Sequence, residues 1–357
     1  MDQAVVMAER GLGTTAPNPS VGAVLVRDGV LIARATTQPG GRPHAETVAL
    51  VAAGEAAHGA TLYATLEPCS HYGKTPPCAD ALIAAGVARV VIGVEDPDPR
   101  VAGRGIAKLR AAGVEAVVGI NAQASRKVTL GHILRVTEQR PAVLIKMALM
   151  SDLSVPIGGG GRPRFVTGPE ARAMGHLHRA RSDAILVGSG TVRDDDPELT
   201  CRLPGMENRS PRRVVLDGKL EGLSPKSKLA RTARSVPVWV MTTNQAPSDK
   251  RAALEDLGVR VSVLEASSGR PNLEAVMTLL AVEGVSRLMV EGGRTTWTAF
   301  SERQWLDEAI VFVQGSKEPP DNLVTFERLS GLKRAPDMSI VEKGAIGTDS
   351  YFRFERD

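Results

Sequence analysis

Apolar positions recur along this chain in two rhythms that alternate. Short apolar runs of strand length sit between segments whose apolar residues follow a helical period. Up to Arg140 the pattern predicts helices over Met1 to Gly11, His44 to Ala53, Ala79 to Ala85, Gly105 to Ala112 and Ala122 to Glu138. It predicts strands over Val21 to Val26, Leu31 to Ala35, Thr61 to Thr65, Arg89 to Val94 and Glu115 to Val118. The first two strands flank Asp28-Gly29, a hairpin-turn dipeptide. Gly86 and Gly113 stand just past helices, where glycine commonly caps.

The rhythm breaks at Thr137-Glu-Gln-Arg-Pro141 and resumes with a strand over Ala142 to Met147, which places a boundary between domains 1–139 and 140–357. Beyond it, helices are predicted over Pro169 to Ala180, Asp249 to Leu257 and Leu273 to Glu283. Strands are predicted over Ala184 to Val187, Arg213 to Leu216, Val238 to Met241, Val259 to Leu264, Arg287 to Val290 and Glu308 to Val313. Two loops, Ile157 to Pro163 and Pro204 to Pro211, are rich in Gly or Pro. Strand–helix alternation of this kind predicts an α/β fold in both halves.

Composition sharpens that picture. Of 357 residues, 43% are apolar and only 3% aromatic, so the cores must be built from small aliphatic side chains. A net charge of +4 without a dominant Lys/Arg cluster suits a phosphorylated small molecule and argues against a nucleic-acid partner. No apolar run approaches the ~20 residues of a membrane span, and the N-terminus, with Asp2 and Glu9, does not read as a signal peptide. The expectation is a cytoplasmic protein with no membrane or nucleic-acid partner, working on a small molecule and forming a homo-oligomer. Three cysteines make no disulfide framework, and Cys201, standing alone, reads as a packed thiol.

Cys69 and Cys78 read differently. Pro43-His44-Ala45-Glu46 opens one helix, Glu67-Pro68-Cys69 follows a strand, and Pro76-Pro77-Cys78 opens another helix. One His and two Cys form a soft set suited to Zn²⁺ that leaves a fourth position for water, the arrangement of a catalytic zinc. Glu46, two residues beyond His44, can serve that water as a proton shuttle without binding the metal. H-x-E followed by P-C and a second Cys is the signature of zinc nucleobase deaminases.

The run Pro68-Cys69-Ser70-His71-Tyr72-Gly73-Lys74-Thr75-Pro76-Pro77-Cys78, with Pro17-Asn18-Pro19-Ser20-Val21-Gly22-Ala23 and Asp96-Pro97-Asp98-Pro99-Arg100-Val101-Ala102-Gly103-Arg104-Gly105, resembles the bifunctional deaminase/reductase family of riboflavin biosynthesis. That resemblance implies a cytidine-deaminase-like three-layer domain followed by a dihydrofolate-reductase-like domain. It implies zinc on His44, Cys69 and Cys78, proton transfer by Glu46, and contacts of Asn18, His71 and Lys74 with a phosphoribosylaminopyrimidine.

The second half has no G-x-G-x-x-G after its first strand. It has two glycine-rich strand ends instead, Gly188-Ser-Gly-Thr191 and Glu291-Gly292-Gly293, the second before a helix, whose backbone amides can hold phosphate. By the same resemblance, NADPH faces Ala148, Thr191, Asp195 and the segment Gly293, Arg294, Thr295, Thr296, Trp297, Thr298 and Ala299. Arg179, Leu199, Arg202 and Glu291 face the substrate, and Lys146 polarises the sugar carbonyl. Arginines at positions 179 and 202 suit a ribose 5-phosphate. Three departures mark this half: Met150-Ser151-Asp152-Leu153-Ser154 lacks the family's Gly and Lys, Phe165 stands where the family has Trp, and Gln314 to Asp321 replaces an apolar stretch. Three readings follow. The favoured one is a bifunctional deaminase and reductase. Its first rival is a deaminase whose second half is a non-catalytic binding or oligomerisation module, and its second is an RNA- or nucleoside-directed deaminase, against which the aromatic-poor composition argues.

Overall fold

The computed structural model describes residues 1–73, 76–156, 166–315 and 325–357. The chain divides into two compact units, Met1–Pro141 with Ala281–Ser286, and Ala142–Leu280 with Arg287–Asp357.

The first unit runs α1 (Asp2–Gly11), β1 (Gly22–Arg27), β2 (Val30–Thr36), α2 (Ala45–Ala53), β3 (Thr61–Leu66), α3 (Cys78–Ala84), β4 (Arg89–Val94), α4 (Arg104–Ala111), β5 (Glu115–Val118) and α5 (Ala122–Thr137). Its sheet has the order β2-β1-β3-β4-β5. The β1–β2 hairpin turns through Asp28 and Gly29, both at positive φ (52° and 74°), as a two-residue turn requires. Strands β3, β4 and β5 run parallel, and β1 pairs antiparallel with β3. Ala45 and Ala49 of α2, Leu82 of α3 and Leu109 of α4 join Leu25, Leu62, Val90 and Ile92 of the strands in one core. Val5 and Ala8 of α1 meet Val128 of α5 in a second. The sheet therefore lies between two helical layers, the three-layer arrangement expected. Small residues on the inner helix faces let those layers approach closely.

The second unit opens with β6 (Ala142–Leu149), α6 (Pro169–Ala180), β7 (Ala184–Gly188), α7 (Ser189–Asp195), β8 (Arg212–Leu216), α8 (Lys228–Arg231), β9 (Val238–Thr242), α9 (Ser248–Glu255) and β10 (Arg260–Val263). A two-stranded ribbon, β11 (Ala266–Ser267) and β12 (Arg270–Pro271), precedes α10 (Leu273–Val282), β13 (Arg287–Val290), α11 (Arg294–Glu302), β14 (Glu308–Val313), α12 (Phe326–Ser330), β15 (Met338–Ile346) and β16 (Asp349–Arg356). The main sheet has nine strands in the order β10-β9-β8-β7-β13-β6-β14-β16-β15. All are parallel except the β15–β16 hairpin, which adds antiparallel to β14.

Every predicted helix and strand is present, with ends within about two residues, the usual uncertainty of such boundaries. The pattern misses helices α7, α8 and α12, the β11–β12 ribbon and the C-terminal hairpin, while the helix expected after Gly293 is α11. The parallel order puts the C-terminal ends of β6, β7, β13 and β14 on one edge, with β7 and β6 flanking β13. Residues that follow these strands are brought together there, as in open α/β sheets generally.

Candidate active sites

In the first unit the three sulfur and imidazole residues converge. His44 is the N-cap of α2, Cys78 is the first residue of α3, and Cys69 lies three residues past β3. His44 Nδ1 lies 3.6 Å from Cys69 Sγ and 3.4 Å from Cys78 Sγ. The ligating atoms all lie within 4.8 Å of one another, and no further His, Cys, Asp or Glu joins the group among the described residues. The Cys78 amide donates to Cys69 Sγ at 3.3 Å, and the Ala79 amide to the Cys69 carbonyl at 3.1 Å, so the two arms are pinned to each other. Hydrogen bonding from Cys78, reinforced by His44, holds the Cys69 thiol at about 4 against burial. Cys78, bonded to Cys69 and buried, is pushed up. A nitrogen and two sulfurs, one of them held low, fit Zn²⁺ and leave room for a non-protein ligand.

Glu46 sits in the first turn of α2 and is buried, 3% exposed. Burial raises its carboxyl, with the His44 charge opposing. Asn18 Nδ2 lies 3.3 Å from His44 Nε2 and donates to the Gly41 carbonyl at 2.7 Å. Gly41 cannot be larger, since it stands at φ 85° and a Cβ there would lie 2.7 Å from Asn18 Cβ. His71 lies in the loop between the two cysteines, and its buried Nδ1 has no hydrogen-bond partner among the described residues. Lys74 lies outside the described residues.

In the second unit Lys146 projects from β6, and Glu291 follows β13 directly. Arg179, near the end of α6, grips Glu291 with both arms: Nε to Oε1 at 2.6 Å and Nη2 to Oε2 at 2.8 Å. Its third nitrogen donates to the Thr200 carbonyl at 3.0 Å. Lys146 Nζ stands 3.8 Å from Glu291 Oε2. Burial works to raise the Glu291 carboxyl, but Arg179 and Lys146 hold it at about 2. Burial lowers Lys146, and Arg179 adds to that while Glu291 opposes it. A desolvated ammonium beside a fixed carboxylate is a proton donor suited to a carbonyl oxygen.

Arg202 is exposed and touches Glu198 and Thr200 through Nη1, at 3.0 and 3.2 Å. Leu199 is buried, with φ 56°. Two further residues shape this region and carry no sequence signal of their own. His176 lies one helical turn before Arg179; its Nδ1 is 3.0 Å from the Thr200 carbonyl and 3.3 Å from the Arg202 amide. Burial and the two arginines push His176 down to about 4, so it is neutral. Arg213, fully buried on β8, donates to the Glu198 carbonyl and fixes the root of the Leu199–Arg202 segment. An arginine inside an apolar strand reads in sequence only as an interruption.

Of the residues expected to face the cofactor, all but Ala148 follow the ends of β7 and β13. Thr191 and Asp195 lie on α7, and Gly293 is the N-cap of α11. A Cβ at Gly188 would lie 3.0 Å from Thr296 Oγ1, and one at Gly292 would lie 2.8 Å from Thr296 Cβ, so Thr296 ties the two strand ends together. Helix α11 starts without a side-chain cap or an acidic residue in its first turn, which leaves its amides for an anion. Gly293, Arg294 and Thr295 are exposed, Thr298 and Ala299 partly so. Trp297 is packed in the core at 5% exposure, so its side chain is a packing residue. Ala148 lies two residues beyond Lys146 on β6. This cradle fits the pyrophosphate of a dinucleotide without a Rossmann fingerprint.

Residues 1–94 match the family described as the cytidine and deoxycytidylate deaminase zinc-binding region, and residues 157–315 match the RibD C-terminal domain. The chain is 38% identical to the riboflavin biosynthesis protein RibD of Aquifex aeolicus, over 88% of this chain and 85% of that protein. It is 36% identical to the RibD protein of Bacillus amyloliquefaciens, over 98% and 93%. A diaminohydroxyphosphoribosylaminopyrimidine deaminase/5-amino-6-(5-phosphoribosylamino)uracil reductase of Thermotoga maritima superposes with a TM-score of 0.82 at 32% identity. That match covers 100% of this chain and 97% of that one.

Proposed function

This chain belongs to the RibD family of bifunctional riboflavin-biosynthesis enzymes, and from that premise we propose how its own residues divide two reactions between two units. The first unit has the cytidine-deaminase-like fold and the second the dihydrofolate-reductase-like fold. The cofactors are Zn²⁺ and NADPH, and the substrate is a small pyrimidine.

The first reaction is hydrolytic removal of a ring amine from the 2,5-diamino-6-(5-phosphoribosylamino)pyrimidin-4-one. His44, Cys69 and Cys78 would hold zinc, which supplies an activated water near neutral pH. The Glu46 carboxylate takes a proton from the attacking water as its oxygen bonds to the amine-bearing carbon, and passes that proton to the amine, whose C–N bond then breaks to release ammonia. Its burial keeps bulk water from competing for that proton. Asn18 and His71 orient the ring. The observation that carries this reading is the convergence of three soft ligands beside a buried carboxylate that is not one of them. Cys69→Ser is expected to lose both metal and deamination, because a hydroxyl is a poorer zinc ligand than a thiolate. Metal analysis with an ammonia assay checks it, and a metal-free protein that still deaminates would sink the assignment.

In the second reaction the starts of α7 and α11 would hold NADPH, which would supply hydride to the opened sugar carbonyl. Lys146 gives a proton to the oxygen that becomes the hydroxyl, and Glu291 holds Lys146 in place. Arg179 is committed to Glu291 and Thr200, which supports a role in fixing that carboxylate. Arg202, exposed and with donors to spare, is the phosphate ligand. Arg202→Ala is therefore expected to raise the reductase KM at least tenfold and leave deamination unchanged. A similar rise in both KM values would put the phosphate site elsewhere.

No helix among the described residues is long and apolar enough to cross a membrane. The reading extends to a cytoplasmic location, which suits cysteines that are free of disulfides, and to a homo-oligomer, to be measured by sedimentation.

A further inference from the structure

The loop Asp96 to Gly105 wraps a single side chain. Glu67 follows β3 directly and precedes Pro68-Cys69, and its carboxylate is 3% exposed. Oε2 accepts the amides of Asp96 at 3.2 Å and Gly103 at 2.9 Å. Oε1 accepts those of Gly105 at 2.9 Å and Ile106 at 3.2 Å. Two of these amides, Gly105 and Ile106, belong to the first turn of α4, where no residue of the helix itself caps them. The carboxylate also lies at the positive end of the α4 dipole.

The same contact fixes the chain on the far side of Glu67. A Cβ at Gly105 would lie 2.1 Å from the Pro68 carbonyl oxygen, so the start of α4 presses directly on the peptide that leads into Cys69. The Glu67 amide donates to the Val94 carbonyl at 3.0 Å, which continues the β3–β4 pairing past the strand end. Beneath the loop, Asp96 takes the Asp98 amide at 2.9 Å and pairs with buried His132 of α5, also at 2.9 Å. Cys69 is thus the end of a short rigid arm whose base is clamped on three sides. The neighbouring ligand, Cys78, is tied to this arm by its own amide and that of Ala79 and by its thiol against Cys69.

We propose that Glu67 is a positioning residue for the metal centre: by capping α4 it holds the Cys69 arm at ligating distance from His44 and Cys78 and sets how long zinc is retained. This rests on the zinc reading of the first unit. Gln in its place keeps the shape but offers one accepting oxygen and an NH₂ that faces two amides as a donor. The arm then loses half of its anchors and carries an unfavourable donor–donor contact.

The test uses the full-length zinc enzyme and Glu67→Gln, with zinc release to a chelator followed by absorbance. Groups that orient metal ligands typically change affinity ~10–100-fold, and release is expected to quicken by about that factor. Deamination should fall on chelation and return with added zinc, while NADPH-dependent reduction in the same chain stays unchanged. Gly105→Ala, which pushes on Pro68 without touching the carboxylate, should quicken release in the same way. A wild-type protein that holds no zinc would refute the metal reading itself. A wild type that holds zinc, with folded variants that release it at the wild-type rate, overturns this proposal alone. So does loss of the folded first unit in both variants that zinc does not restore, since Glu67 would then hold the fold and not the arm.

Discussion

Glu46→Gln is expected to keep its zinc and lose deamination by about 10²–10⁴-fold, the usual contribution of a general acid–base group. The side chain is buried in the first turn of α2, two residues from His44, and its amide replacement has the same size. No ligand is removed, because His44, Cys69 and Cys78 form the group without it. Only the ability to take and return a proton disappears. NADPH-dependent reduction, carried by the other unit, should be unchanged and serves as the control in the same tube. Metal content and ammonia release measured together check this result. Loss of zinc in the variant would make Glu46 a structural group.

Lys146→Met should lower reduction by a similar ~10²–10⁴-fold while NADPH still binds and deamination continues. Methionine fills the space of the lysine stem and removes the proton donor. It also leaves Glu291 in its bidentate pair with Arg179, the larger of the two charges that hold its carboxyl down. The loss should therefore appear in kcat and not as a shifted pH profile. Loss of NADPH binding instead would place Lys146 in the cofactor site.

The strands and the longer helices were legible because the apolar pattern that forms them is local. The nine-residue β15 was not, since its exposed residues show no alternation, although Gly347, at positive φ in the tight turn before β16, is a hairpin signal in hindsight. Helix α7 hides behind a glycine-rich strand end: Ser189-Gly-Thr reads as a turn and folds as a helix start. The zinc group was legible because ligand chemistry narrows the residue types to few. Glu67, His176 and Arg213 were not, since their partners are backbone groups that a sequence does not display.

The departures from the family pattern in the second unit are partly absorbed by the backbone. Leu153 stands at φ 64°, the left-handed region that favours glycine, yet the turn closes: the Met150 amide reaches the Ser154 carbonyl at 2.9 Å and Asp152 takes the Ser154 amide at 2.9 Å. The run 157–165, which holds Phe165 and the glycine-rich loop, and residues 316–321 of the divergent C-terminal run lie outside the described residues. The Lys146–Glu291–Arg179 group and the paired strand ends, on which the proposed reductase chemistry rests, are in place.

The central claim is that one chain performs both steps in order. The direct measurement gives the purified zinc protein the diaminopyrimidine phosphoriboside and follows ammonia release and NADPH oxidation separately. One ammonia released and one NADPH consumed per substrate are expected, with a ribitylamino-uracil phosphate as the end product. Ammonia release without any NADPH oxidation, also when the deaminated uracil is supplied directly, would contradict it and leave a deaminase with a silent second unit.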